Sequence, residues 1–500
     1  MIELLNSSLL AVTKGYYIRQ VIVITALFVT GLVWTGPRGS SNKKLCVRNI
    51  SLAFPVGLAL FSMWGLFLLI TGIPFNALTV SILTVLSCVM PLILYRDRIN
   101  IKKTDIRLLV LTLIGAFFLA LLACSSTLSV TIDNDSVYYY STYPSILVKE
   151  GRYYKYFDTF LTDVGQSSAV INTLPFLYGF DNTFGIQHFM NISFLVFFGD
   201  SIFRMLKNRG SEKREALICA ITAALFLLTS APFIFIAKWV MSNVYFMEYL
   251  FITFILGIQM SKDRDELPEY ISFVLMFTLS MLRVEAAVIA AVMVICLSFT
   301  EIKKRTIVLC FMVPLFLTQC AYYLALYLRM GVDPLYSFLD IKKALVVILA
   351  LGMVLIYLLF VRDTISKNEK LKGYLPVMLI LILLMGNLAA FVINRERYLN
   401  NLNTFYLNIR LQNGWGYFGF MMFIAGMAGV IYIIGKKLII TDVFVVFYYA
   451  YMLTIIVSCW ARGGMLRMGV GDSGNRMLLS TVPFTVMLIV KALAALRRKS

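Results

Sequence analysis

Apolar stretches close to 20 residues long recur from one end of this chain to the other. They predict membrane spans at about 17–36, 51–72, 77–95, 107–126, 187–204, 216–237, 243–260, 268–283, 285–300, 306–328, 342–361, 373–394, 417–435, 441–459 and 477–496. The pattern reads as about fifteen crossings. Backbone N–H and C=O groups find no water in hydrocarbon, so stretches of this length must be helices, and their unbroken apolarity excludes the alternation of a β-barrel. The expected fold is an all-α polytopic bundle with one long polar interval, residues 127–187, forming a partly helical external loop after the fourth span. Residues 1–106 read as N-terminal spans and 107–500 as the part that carries the loop. With no linker, low-complexity run or strong internal repeat between them, they are expected to form one integrated domain.

Composition agrees with a lipid solvent: 60% hydrophobic and 14% charged residues give a mean hydropathy of +0.84, beyond what a soluble domain houses. The formal charge of +19 does not point to nucleic acid, because the surplus Lys and Arg gather in alternate short loops. These are the loops holding Arg38, Lys43, Lys44 and Arg48; Arg204, Lys207 and Arg209; Lys303, Lys304 and Arg305; and Arg497, Arg498 and Lys499. The positive-inside rule places them in the cytoplasm of a cell-membrane protein and puts loops 127–187, 395–416 and 460–476 outside. The first span, with Lys14 and Arg19 flanking its outer end, reads as a retained anchor.

The cysteines show no CxxC spacing, and seven of them fall in or at the ends of spans, as small core residues do. The lone histidine, His188, opens a span and has neither the company for a zinc site nor that for a Ser-His system. No GxGxxG, P-loop or GxSxG occurs, so nucleotide-driven and serine-hydrolase mechanisms lack support.

Chemistry concentrates in the external loop. Asp133 and Asp135 are two apart just past the fourth span, so in extended backbone both side chains point to one side. Such a pair can act as general base with an orienting neighbour or share a divalent cation, Mg or Mn; equally, it can be two solvated acids capping the helix expected over 136–150. Tyr138, Tyr139, Tyr140, Tyr143, Tyr153 and Tyr154 follow. They suit a helix along the membrane surface, as interfacial anchors or as flat surfaces for a sugar ring.

These residues carry a resemblance. Asp133-Asn134-Asp135 followed by Tyr139, Pro144, Leu147 and Gly151 resembles the GT-C class of membrane glycosyltransferases, in particular bacterial relatives of the protein mannosyltransferase and lipid A aminoarabinose transferase families. The segment Gly471-Asp472-Ser473-Gly474-Asn475-Arg476-Met477-Leu478-Leu479 with Pro483 is similar to the Arg and Pro entry into a late span in such proteins. The likeness runs over about residues 107–490. Two departures stand out: three spans precede the acidic loop here, and Ser136 occupies a position where the family has an acid. The resemblance implies transfer of a sugar, with inversion, from a polyprenyl-phosphate donor to a glycan, lipid or protein acceptor outside the membrane. By position Asp135 would be the catalytic acid and Asp133 its assistant, with Tyr139, Tyr143 and Asp472 on the sugar or acceptor.

A leaving phosphate needs cations, and arginine's fork matches its oxygens. External candidates are Arg283, Arg397, Arg462, Arg467 and Arg476, with Arg395 and Arg410 nearby. Arg283 and Glu285 interrupt an otherwise apolar stretch, either as an intramembrane site or as a locally paired external turn. Glu248 and Lys238 are expected on either side of another external turn. Two other classes share this architecture: a lipid-linked oligosaccharide polymerase or ligase relying on external Arg residues, and a transporter or flippase, which more often shows repeats and broken helices.

Overall fold

The computed structural model describes residues 16–36, 46–94, 103–125, 138–153, 165–180, 183–237, 242–260, 269–283, 285–330, 341–366, 368–410, 416–435, 442–461 and 473–497. Helices occupy them in this order: α1 Tyr16–Thr35, α2 Val47–Thr71, α3 Ala77–Leu94, α4 Lys103–Ser125, α5 Tyr143–Glu150, α6 Gln166–Ile171, α7 Leu174–Tyr178, α8 Phe184–Asn208, α9 Lys213–Leu228, α10 Ala231–Ala237, α11 Ser242–Met260, α12 Glu269–Ser280 and α13 Ala286–Ser298. There follow α14 Lys304–Leu326 and α15 Leu345–Ile365, then α16 Glu369–Ile393, α17 Arg395–Arg410, α18 Gly416–Gly435, α19 Val443–Ala461, α20 Ser473–Leu478 and α21 Val482–Arg497. No strand occurs among the described residues.

Ten of these helices are long and apolar enough to cross a membrane, and the chain is an all-α multi-pass membrane protein. The expected count of fifteen is not confirmed among the described residues. A helix stands on each predicted stretch, but α3, α12, α13 and α18 contribute only shorter apolar segments, and residues 216–237 split into two pieces. The split follows from Pro232, which has no N–H for the Leu228 carbonyl and whose ring crowds it. The chain turns instead at Thr229 and Ser230, whose N–H groups close on Leu225 and Leu227.

A second difference is α17. Residues 395–410 were expected as part of an external loop, yet they form a helix. Its N-terminus is capped by Asn394, whose Oδ1 accepts the Arg397 N–H at 3.0 Å. Asn401 and Phe405, four residues apart, are buried on one side.

Buried apolar side chains from Val21 to Leu488 form one continuous cluster. Helices α2 and α11 run through its centre, whereas α4, α15 and α16 keep most of their surface outside it. The closest crossing joins α1 to α2: a Cβ built on Gly31 would stand 1.6 Å from the Ala53 carbonyl oxygen, and one on Gly57 1.8 Å from that of Leu27. Lipid is as apolar as a leucine side chain, so helices associate through such close packing, which a side chain at either glycine would forbid.

Candidate functional site

After residue 137 the chain re-enters the described structure as one wide, π-type turn, Tyr138–Thr142, that runs into α5. Pro144 sits in the first turn of α5, where no intrahelical N–H is needed, and Gly151 ends it in the left-handed region (φ 66°), donating to the Leu147 carbonyl. The Gly151 carbonyl accepts the Phe75 N–H at 2.7 Å, tying the end of α5 to the α2–α3 connection.

Two tyrosines of this loop face inward. Tyr143 is fully buried and Tyr153 nearly so. Both phenols donate to Oε1 of Gln166, at 3.2 and 3.0 Å, which fills that oxygen's two lone pairs. Tyr153 also hydrogen-bonds Tyr322 of α14. Every residue of α6 is buried, and its entry glycine explains how: a Cβ on Gly165 would lie 1.8 Å from the Leu282 carbonyl oxygen. The Ser167 N–H donates to the Met281 carbonyl at 2.9 Å. The loop is thus folded into the bundle and wedged against the turn that joins α12 to α13.

That turn carries Arg283. Its Nε and Nη2 reach the two carboxylate oxygens of Glu285 at 3.2 and 3.3 Å, a fork-to-fork pair with side chains only 12% and 7% exposed. Burial alone would lower the Arg283 pKa, but the Glu285 carboxylate together with the Tyr140 and Tyr451 phenols outweighs it and the guanidinium sits above its ordinary value. Nη1 donates to the Ser242 hydroxyl at 3.4 Å, and Ser242 in turn shares a 2.9 Å hydrogen bond with the Tyr140 phenol. Tyr451 of α19 lies within electrostatic reach of both Arg283 and Glu285. Its hydroxyl donates to the Met477 carbonyl at 2.9 Å, next in sequence to the partly buried Arg476. Segments distant in sequence therefore meet here: the loop through Tyr140, the start of α11 through Ser242, the α12–α13 turn, and α20 through Met477.

Searches against protein families, characterised proteins and solved structures return no match for the chain. The site rests on its own geometry.

Of the residues singled out from sequence, Arg283 is held at the centre of this cluster and Arg476 is next in sequence to Met477, whose carbonyl Tyr451 reaches. Asp133, Asp135, Arg462, Arg467 and Asp472 lie outside the described residues, as does Lys238. Tyr139 belongs to the wide turn by its backbone. Tyr143, expected at a sugar, has no open face in this structure. Arg397 belongs to another group: its Nη1 donates to the Trp460 carbonyl at 3.4 Å, and Trp460 is roughly 14 Å further along α19 than Tyr451 at the usual helical rise. Among the described residues no three His, Cys, Asp or Glu side chains are grouped to hold a metal ion.

Three residues escaped sequence reasoning. Ser242 and Tyr451 carry no signal, being ordinary polar residues at one end of a span and within another. Gln166 carries a weak one, as an uncharged polar residue in a loop rich in tyrosine. Glu248 corrects an expectation: it lies within α11, not beside an external turn. It is fully buried, and neither carboxylate oxygen has a hydrogen-bond partner among the described residues. The cysteines need one correction as well, since Cys219 of α9 is exposed on the outside of the bundle.

Proposed function

We propose that this chain is a membrane glycosyltransferase that takes a sugar from a polyprenyl-phosphate donor and delivers it, with inversion, to an acceptor outside the membrane. The observation that carries this reading is the Tyr140–Ser242–Arg283 chain of hydrogen bonds, which ties the loop just after the acidic triplet to a buried, permanently charged guanidinium. Asp135 precedes Tyr140 by five residues, a tether of at most about 18 Å when fully extended. In this reading the Asp135 carboxylate works in the neighbourhood of Arg283.

In the proposed reaction Asp135, assisted by Asp133, accepts the proton of the acceptor hydroxyl. The freed oxygen forms its bond to the anomeric carbon from the face opposite the phosphate. The carbon–oxygen bond to phosphate breaks, and its electron pair leaves with the polyprenyl phosphate. Arginine is suited to the charge that develops there, because its planar fork pairs with two phosphate oxygens at once. Arg476 is assigned this contact. Arg283, already engaged by Glu285, supplies a fixed positive field.

The test uses membranes containing the full chain and a labelled polyprenyl-phosphate sugar. Asp135→Asn and Asp133→Asn are expected to lower transfer by about a hundredfold or more for the base and less for its assistant. Undiminished transfer in both variants refutes the general-base role. Undiminished transfer joined to loss in Arg476→Gln assigns the chain to the polymerase or ligase class, where arginines act without an essential acid. EDTA in the same assay reports whether the acidic pair also holds a divalent cation.

A further inference from the structure

The polar helix α17 lies against the far end of α19, and hydrogen bonds fix it there. The Tyr398 phenol donates to Asn387 Oδ1 of α16 at 3.0 Å, and Asn387 Nδ2 donates in turn to the Leu453 carbonyl of α19 at 3.2 Å. Arg397 Nη1 reaches the Trp460 carbonyl at 3.4 Å. Among the described residues that is the guanidinium's one hydrogen bond, and no carboxylate pairs with it. Arg397 is half-buried, whereas Glu396 beside it in sequence is exposed.

Two further donors at this junction have nothing to donate to. Asn401 follows Arg397 by one turn on the same face, and helical side chains lean toward the N-terminus, so its amide is carried back toward the guanidinium. Asn401 is 1% exposed, and its Nδ2 has no hydrogen-bond partner among the described residues. The Trp460 indole N–H is likewise buried without an acceptor, within one side chain's length of the carbonyl that Arg397 touches. Burying a donor unmet is costly, so the junction suits an acceptor that the chain does not itself provide.

We infer that the junction of α17 and α19 binds a phosphate group, with the Arg397 guanidinium, the Asn401 amide and the Trp460 N–H as its donors. A guanidinium and an indole only donate, and an amide nitrogen does the same. The cation without a carboxylate partner selects an anion over a neutral acceptor. Three donor groups from two helices match the three terminal oxygens of a phosphate better than the two of a carboxylate. Trp460 stands roughly 14 Å beyond Tyr451 along α19, which moves Arg397 from the leaving phosphate to a second one. The inference is independent of the sugar-transfer reading, which gives none of these three residues a role. A free phosphate and a lipid headgroup offer the same oxygens, and the test separates them.

Isothermal titration calorimetry of the purified full chain in a nonionic detergent tests it, with inorganic phosphate and dihexanoyl phosphatidic acid as probes and dihexanoyl phosphatidylcholine as the comparison. At least one phosphate probe is expected to bind in the millimolar range or tighter, and phosphatidylcholine about tenfold more weakly. Arg397→Gln is expected to lose about tenfold in affinity, the usual weight of one charge-assisted hydrogen bond. Trp460→Phe keeps an aromatic ring and deletes only the N–H; a loss of about threefold is expected. Tighter binding of phosphatidic acid than of inorganic phosphate assigns the site to a lipid headgroup, and the reverse or equality assigns it to free phosphate; either result supports the site. No binding of either probe overturns it, as does phosphatidylcholine bound as tightly as phosphatidic acid. Wild-type affinity in both variants would do the same, and Trp460→Phe decides alone if Arg397→Gln fails to fold.

Discussion

Helix α11 connects two ends of the molecule that handle charge in opposite ways. At its start, Ser242, Arg283, Glu285 and the Tyr140 phenol are packed against one another, and the guanidinium meets its carboxylate almost out of reach of solvent. At its far end Arg204, Arg209, Asp442 and Lys491 line a cavity, with Lys491 paired to Asp442 and Arg204 to Asp200. Between them α11, α19 and α21 bring together Phe251, Phe254, Phe447 and Phe484, with Phe254 stacked on Phe447 at 4.5 Å. An enclosed pair fixes geometry at the cost of desolvation, whereas pairs beside a cavity keep more of their hydration.

The largest effect that tests this contrast comes from Arg283→Ala. Leaving the Glu285 carboxylate buried without its partner is expected to cost about 3–5 kcal/mol, read from SDS-driven unfolding followed by circular dichroism. Arg204→Ala removes a pair whose side chains are 27% and 11% exposed, and about 1 kcal/mol or less is expected there. Arg283→Met combined with Glu285→Leu should recover most of the first loss. Equal costs at the two ends would abolish the distinction.

A smaller effect probes the fit of the loop. Gly165→Ala forces α6 away from the Leu282 carbonyl and is expected to destabilise by about 1–3 kcal/mol, with a matching fall in thermal stability. If the variant is as stable as the wild type, the wedge is looser than the 1.8 Å approach requires.

The smallest concerns pH. The Asp442 carboxyl is depressed in the fold, so the stability it contributes is present above the unfolded-state value of about 3.9 and is lost as pH falls through the lower folded-state value. Wild type and Asp442→Asn should therefore differ in stability at neutral pH and converge in strong acid. A gap that persists in strong acid would mean that Asp442 acts through its shape alone.

Much of this was legible in the residues. The Arg283–Glu285 turn stood out because two charges interrupt an apolar run, and the structure joins them in the local pair that the sequence allowed. The break at Ser230 was less visible, since Pro55, Pro91 and Pro376 stay in helix interiors while Pro232 falls in the first turn of a new helix. Glu248 was misjudged because a carboxylate near a span end looks like a loop residue until the neighbouring helices are seen to cover it. Tyr143 misled for a related reason, as a phenol suits both an interface and a buried acceptor such as Gln166.

The sequence by itself determined the solvent and the helical class, because apolar stretches of this length satisfy their backbone groups in lipid only as helices. Where basic residues gather among the loops was also written there. Tertiary structure alone decided which polar residues meet: Tyr140 with Ser242, Ser242 with Arg283, Arg209 with the Lys491 carbonyl. These partners lie 102, 41 and 282 residues apart, and no local pattern encodes a contact that depends on how whole helices pack.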